Sequence, residues 1–240
     1  MEIERSGGVA EPERTNVLAV GTGGNLPPAL RLQILTTEHW SLLSTRALSW
    51  NEAFSRAAMF LSVLSGAVVA LALVAQATSF DEGFVTFALL ILPVVLFVGV
   101  ATFMRLVAIN HEDVGWVAGM NLLRHAYLGA APELRPYFVT GSSDDEAGIM
   151  ATFGATPGPG GFAHVFVTTP GMLAVVDGVV AGVLAGIVAL RIGLDTPLTL
   201  GLAITLSLVT VALHVVHQYR GVVKPRGRRP ARFPERPPGM

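Results

Sequence analysis

Four apolar runs, at positions 57–78, 84–104, 172–190 and 197–217, constrain this chain more than anything else in it. A helix rising 1.5 Å per residue needs about 20 residues to cross a hydrocarbon layer of roughly 30 Å, and each run meets that length. The runs come as two pairs, each joined by only a few residues. The fold class they predict is all-α: a polytopic membrane protein with four transmembrane helices in two hairpins. The remaining sequence adds a long N-terminal cytoplasmic helix and a small helical cytoplasmic module.

Composition agrees. The chain is 52% hydrophobic and 14% charged, with a mean hydropathy of +0.59, outside the range of ordinary soluble domains. It has no cysteine, which excludes disulfides, thiolate metal sites and cysteine nucleophiles. Arginine outnumbers lysine fifteen to one among abundant Ala, Gly and Val, a pattern typical of GC-rich bacterial genomes. The N-terminus is acidic (Glu2, Glu4, Glu11, Glu13), and no signal peptide is expected. Ala75-Gln76-Ala77 mimics a cleavage site but follows a run too long for a signal peptide, so it reads as the end of a span.

The cations fix an expected orientation. Fifteen of the sixteen Lys and Arg residues lie before the first span, between the second and third, or after the fourth. The short loop at 79–83 carries only Asp81 and Glu82, and the other short loop begins with the lone Arg191. The positive-inside rule then puts both termini and the middle segment in the cytoplasm of an inner-membrane protein. The outward loops are too short to hold a domain.

Six segments follow. Residues 1–28 read as a disordered leader; Val17 to Gly24 resembles a strand entering a nucleotide-binding turn, but the third glycine is missing and Pro27-Pro28 follows. Residues 29–56 form a cytoplasmic helix with a stripe at Leu35, Leu42, Leu43, Ala47, Trp50 and Phe54. Nothing there breaks the chain before residue 57, so one helix is expected to continue into the membrane. It has three cations and two acids, too balanced for a basic surface binder, and its stripe points to protein packing. The first transmembrane hairpin covers 57–104, with Pro93 expected to kink its second helix.

The module at 105–170 is expected to hold a helix capped by Asp113, with Trp116, Met120, Leu123 and Tyr127 on one face. A second helix begins at Pro132 and ends in the apolar Tyr137-Phe138-Val139. A third is capped by Ser142 or Ser143 ahead of three acids. A loop at Thr156–Gly161 and a short apolar run at Phe162–Val167 follow, and Thr169-Pro170 caps the third span. Residues 171–217 form the second hairpin. The tail, 218–240, is proline-rich and basic; Arg220, Lys224, Arg226, Arg228, Arg229 and Arg232 are expected at anionic lipid headgroups. Direct attachment to a span favours lipid over nucleic acid.

Two patterns inside the spans bear on function. Ala174, Gly178, Gly182 and Gly186 recur every four residues, as do Ala58, Ser62, Gly66 and Ala70; such rows let helix backbones approach in lipid, within the chain or between copies. Asp177 is the one acid inside a span, and an antiparallel hairpin places His214 at its level, with His217 on the same face. These residues could form a titratable pair on a proton or ion path, or a structural hydrogen bond near the helix N-terminus. His111-Glu112-Asp113 has metal-ligand composition, but adjacent helical residues do not converge, and His125 lies roughly 21 Å further along a continuous helix. No cofactor motif, metal set or catalytic constellation is legible.

Leu32 to Leu43 with Trp50-Asn51-Glu52, Gly119 to Leu128, and Pro132 to Val139 together resemble a family of bacterial integral membrane proteins with four spans and no established function. The likeness covers about residues 32 to 190 and implies no catalytic residues. In placing a cytoplasmic helix before a membrane hairpin, the chain is also similar to two-span effectors of bacterial defence systems, which are thought to form pores or disrupt membranes. The expected function is therefore a non-enzymatic, homo-oligomeric scaffold or effector, with a small ion or proton channel or transporter using Asp177 and His214 as the alternative.

Overall fold

A computed structural model describes residues 26–154, 168–223 and 231–234. Among these residues the fold is all-helical, and four helices are long and apolar enough to cross a membrane, the mark of a multi-pass membrane protein. The order is α1 (Pro28–Thr78), α2 (Glu82–Ala130), a short 3₁₀ helix (Pro132–Tyr137), α3 (Glu146–Phe153), α4 (Thr169–Arg191) and α5 (Thr196–Val223).

α1 runs unbroken for 51 residues, about 75 Å at 1.5 Å per residue, so a large part of it must project beyond any bilayer. Pro28 opens it, where the missing N–H costs nothing. It ends where Ser79 and Phe80 both take positive φ. Asp81 then starts α2, its carboxylate accepting from the Gly83 and Phe84 amides at 2.8 and 3.3 Å. α2 is almost as long, 49 residues, and continues through Pro93.

Contacts between α1 and α2 are nearly symmetric about that turn. Phe60 meets Gly99, Glu52 bonds Arg105, Arg46 bonds Asp113, Leu42 lies over Gly119, and the Tyr127 hydroxyl donates to the Leu35 carbonyl. The two helices therefore lie antiparallel along almost their whole length. One face of α1 is sealed by this contact: Ala53, Ala57, Phe60 and Ala67 are buried with Ala88, Leu92 and Val95 of α2, and α4 adds Leu173 and Val180.

Several local expectations are corrected. Asp113 caps no helix; it is buried in the middle of α2, because the Arg46 guanidinium satisfies its carboxylate and no Gly or Pro lies between the second apolar run and it. The helix expected from Pro132 is a single 3₁₀ stretch, since Pro136 cannot continue an α-helix. Tyr137 at its end and Val139 just beyond it are exposed. Asp145, and neither Ser142 nor Ser143, caps α3 by accepting from the Gly148 amide. The cap of α4 is Thr168, one residue earlier than expected. The stripe read on α1 divides: Leu35, Leu42 and Trp50 are half-buried, whereas Leu43, Ala47 and Phe54 face outward. The Val17–Gly24, Thr156–Gly161 and Phe162–Val167 readings lie outside the described residues.

Candidate functional site

Where α1, α2, α4 and α5 come together, the sequence places one carboxylate and one imidazole. Asp177 of α4 is fully buried, and its Oδ2 lies 3.2 Å from His214 Nε2 of α5. The approach depends on Gly99 of α2: a Cβ there would overlap Asp177 Oδ1 and the Phe60 ring. Phe103, one turn further along α2, lies against His214 with ring centroids 4.3 Å apart. Asp177 Oδ1 has no hydrogen-bond partner among the described residues. An acid so enclosed is costly in an apolar layer, which makes the pair the strongest candidate site in the spans.

Hydrogen-bond stoichiometry limits its protonation. His214 Nδ1 lies 2.8 Å from the Thr210 carbonyl, which can only accept, so Nδ1 carries a hydrogen. A second hydrogen must then lie between Nε2 and Asp177 Oδ2. The pair therefore holds one proton beyond carboxylate and neutral imidazole, and is neutral overall whichever partner carries it. Such a pair can accept or release a proton only by becoming charged inside an apolar layer. His217 stands apart from this contact: it is exposed, with its ring 6.2 Å from that of Phe103.

The small-residue rows have different partners. On α4, Gly178, Gly182 and Gly186 face Val211, Ser207, Ala203 and Thr199 of α5, and a Cβ at Gly182 would meet the Ala203 carbonyl oxygen at 2.8 Å. Ala174 faces the other way and clusters with Phe103 and Val107 of α2. On α1, Ala58, Ser62 and Gly66 are exposed and Ala70 is half-buried; a Cβ at Gly66 would touch nothing within 4 Å. This row has no partner among the described residues.

Beyond the spans, charged groups pair across the helices. Arg105 donates to both Glu52 oxygens at 2.9 Å and to Glu112 at 3.0 Å. Hydrogen bonds from Arg105 and then Arg56 hold the Glu52 carboxyl down at about 2. At the opposite ends, Arg191 is ion-paired with Glu82, so the one cation on the acidic side is neutralised locally. Asn121, which the sequence reading did not single out, is fully buried. Its amide donates to the Ser143 carbonyl at 2.8 Å and accepts from Arg124 and Thr152, tying α2 to α3.

The metal-like cluster is dispersed. Asp113 is held by Arg46, Glu112 by Arg105, and His125 stacks on Phe233; no three His, Asp or Glu side chains converge among the described residues. Of the expected headgroup cations, Arg220 is exposed and Arg232 lies against the module through its main chain. Lys224, Arg226, Arg228 and Arg229 lie outside the described residues.

No family model, curated protein or solved structure matches this chain.

Proposed function

We propose that the chain is a bacterial inner-membrane protein with both termini in the cytoplasm. It acts without covalent chemistry, as a homo-oligomeric scaffold or effector. In this reading α1–α2 and α4–α5 are the two transmembrane hairpins. The extensions of α1 and α2 form a rigid stalk that holds the module off the membrane. Arg220, exposed at the end of α5, rests near anionic headgroups, and the resemblance to four-span bacterial membrane proteins is in keeping with this.

The observation that carries the reading is the division of charge around α1. Arg31, Glu38, Arg46, Glu52 and Arg56 all fall on one half of the helix. The other half is uncharged and presents Leu32, Trp40, Leu43 and Phe54, each 41–65% exposed. This face continues into the membrane as the unpartnered Ala58, Ser62 and Gly66. Lipid can cover the lower part but not apolar side chains a few turns above it. A partner must match an uncharged surface that crosses from water into lipid. A second copy, anchored in the same membrane and meeting each level with the same residues, does so without like-charge contacts.

The native chain lacks cysteine, so single substitutions test the reading in membranes. Leu43→Cys, Ala47→Cys and Phe54→Cys should give disulfide-linked dimers, and Arg31→Cys and Glu38→Cys should not. Dimers from neither face, with every variant inserted, would overturn it.

The Asp177–His214 pair favours a second reading, a proton or ion path. Asp177→Asn keeps a donor toward His214 Nε2, so it should leave the fold intact. Proton flux in proteoliposomes that falls in this variant would support the path; equal flux in both would remove Asp177 from it.

A further inference from the structure

The free end of the stalk carries a cavity of about 570 Å³, lined by His125, Leu128, Phe138, Gly141, Ser142 and Ala151 of the module. Phe233 and Pro234 of the tail form another part of its wall. The loop beneath it is tightly built. A Cβ at Gly141 would overlap the Gly148 carbonyl, and one at Gly148 would overlap Ser143. Asn121 holds the same loop through the Ser143 carbonyl. The wall is thus fixed from two sides before the tail reaches it.

The tail is read by both main chain and side chain. The Arg232 and Phe233 amides each donate to Asp144, at 2.9 Å to Oδ2 and 2.9 Å to Oδ1. The Phe233 ring lies parallel to His125, with centroids 4.1 Å apart and planes 13° apart. A carboxylate accepting two consecutive amides fixes the local course of the chain, and the stacked ring supplies apolar contact. We propose that the module is a peptide-binding site for an aromatic–proline dipeptide, and that its ligand is this chain's own Phe233-Pro234.

Docking in cis has a mechanical consequence. Val223, the end of α5, and Ala231 are eight residues apart, a reach of about 28 Å at full extension. α5 packs mainly on α4 and hardly on α2. The docked tail is then a strap that ties the end of α5 to the end of α2, and movement of the module is limited by the fourth span.

Tryptic cleavage of the full-length protein tests this, because the Arg232–Phe233 bond must leave Asp144 to enter a protease. Phe233→Ala and Asp144→Asn should each speed cleavage at that bond about tenfold, with the Arg14–Thr15 bond, far from the tail in sequence, as internal reference. Equal rates in all three proteins would overturn the proposal. A paired variant, Ser142→Cys with Ala231→Cys, leaves Phe233 and Pro234 in place and supplies a second readout. An intramolecular disulfide that is lost on adding Phe233→Ala supports docking in cis; a disulfide linking two copies, or none, overturns it.

Discussion

Arg46 of α1 and Asp113 of α2 form a two-point ion pair, Nε to Oδ1 at 2.6 Å and Nη2 to Oδ2 at 3.1 Å, with the Asp113 side chain only 3% exposed. The pair lies toward the ends of the two helices away from their shared turn, where α1 and α2 pack on each other and α2 packs also on α3 and the 3₁₀ helix. Two parallel bonds between a guanidinium and a carboxylate set the register of α1 against α2 and not merely their proximity.

The two halves of this pair are not equally replaceable. Arg46→Ala leaves a buried carboxylate without its partner and should cost about 3 kcal/mol, in the range for breaking buried pairs. Asp113→Ala leaves a guanidinium that is already 28% exposed and can turn to water, so it should cost less. Amide hydrogen exchange across α2 in the two variants would show the order; a larger loss in Asp113→Ala would contradict it.

Gly99→Ala should displace Asp177. Its Cβ would overlap both Asp177 Oδ1 and Phe60, an overpacking expected to cost about 1–3 kcal/mol. Adding Asp177→Ala removes one of the two clashes and should recover part of that loss. Thermal unfolding in detergent of the two single variants and the double variant measures the coupling, and strict additivity would mean the two residues do not touch.

Two glycines would separate packing within the chain from the proposed packing between copies. Gly182→Val should lower stability by forcing α4 from the Ala203 carbonyl. Gly66→Val meets open space and should leave monomer stability unchanged while reducing dimer yield in membranes. Thermal unfolding and cross-linking of both variants give the four values needed, and a stability loss in Gly66→Val alone would reverse the assignment.

The Glu52–Arg105 pair predicts an acid-dependent loosening of the α1–α2 contact. Glu52 is held down to about 2 from an ordinary 4.5. A depressed carboxyl contributes stability in full above the unfolded value and loses it as pH falls through the folded one. Glu52→Gln should therefore be less stable than the native protein at neutral pH, with the difference shrinking between pH 4.5 and about 2. A difference that is constant across that range would show that charge is not its source.

Much of the architecture is legible in the sequence because it follows from composition along a line. Runs of apolar residues long enough for a bilayer, and the absence of Gly or Pro between 29 and 57, determine four spans and a continuous α1. The Asp177–His214 juxtaposition follows from antiparallel geometry once the loop between the helices is short. By contrast, Asp113 reads as a cap in one dimension because its acceptor role fits a helix start; only Arg46, arriving from 67 positions away, satisfies it inside a helix. Ala58, Ser62 and Gly66 have the same spacing as Ala174, Gly178 and Gly182, yet one row faces out and the other is buried. Periodicity defines a face, but not what covers it. Gly99, Asn121, Asp144 and Phe233 acquire their roles only through neighbours distant in the chain. Spans and helix continuity are properties of local sequence, whereas pairing and burial depend on which surfaces meet, and tertiary structure alone decides that.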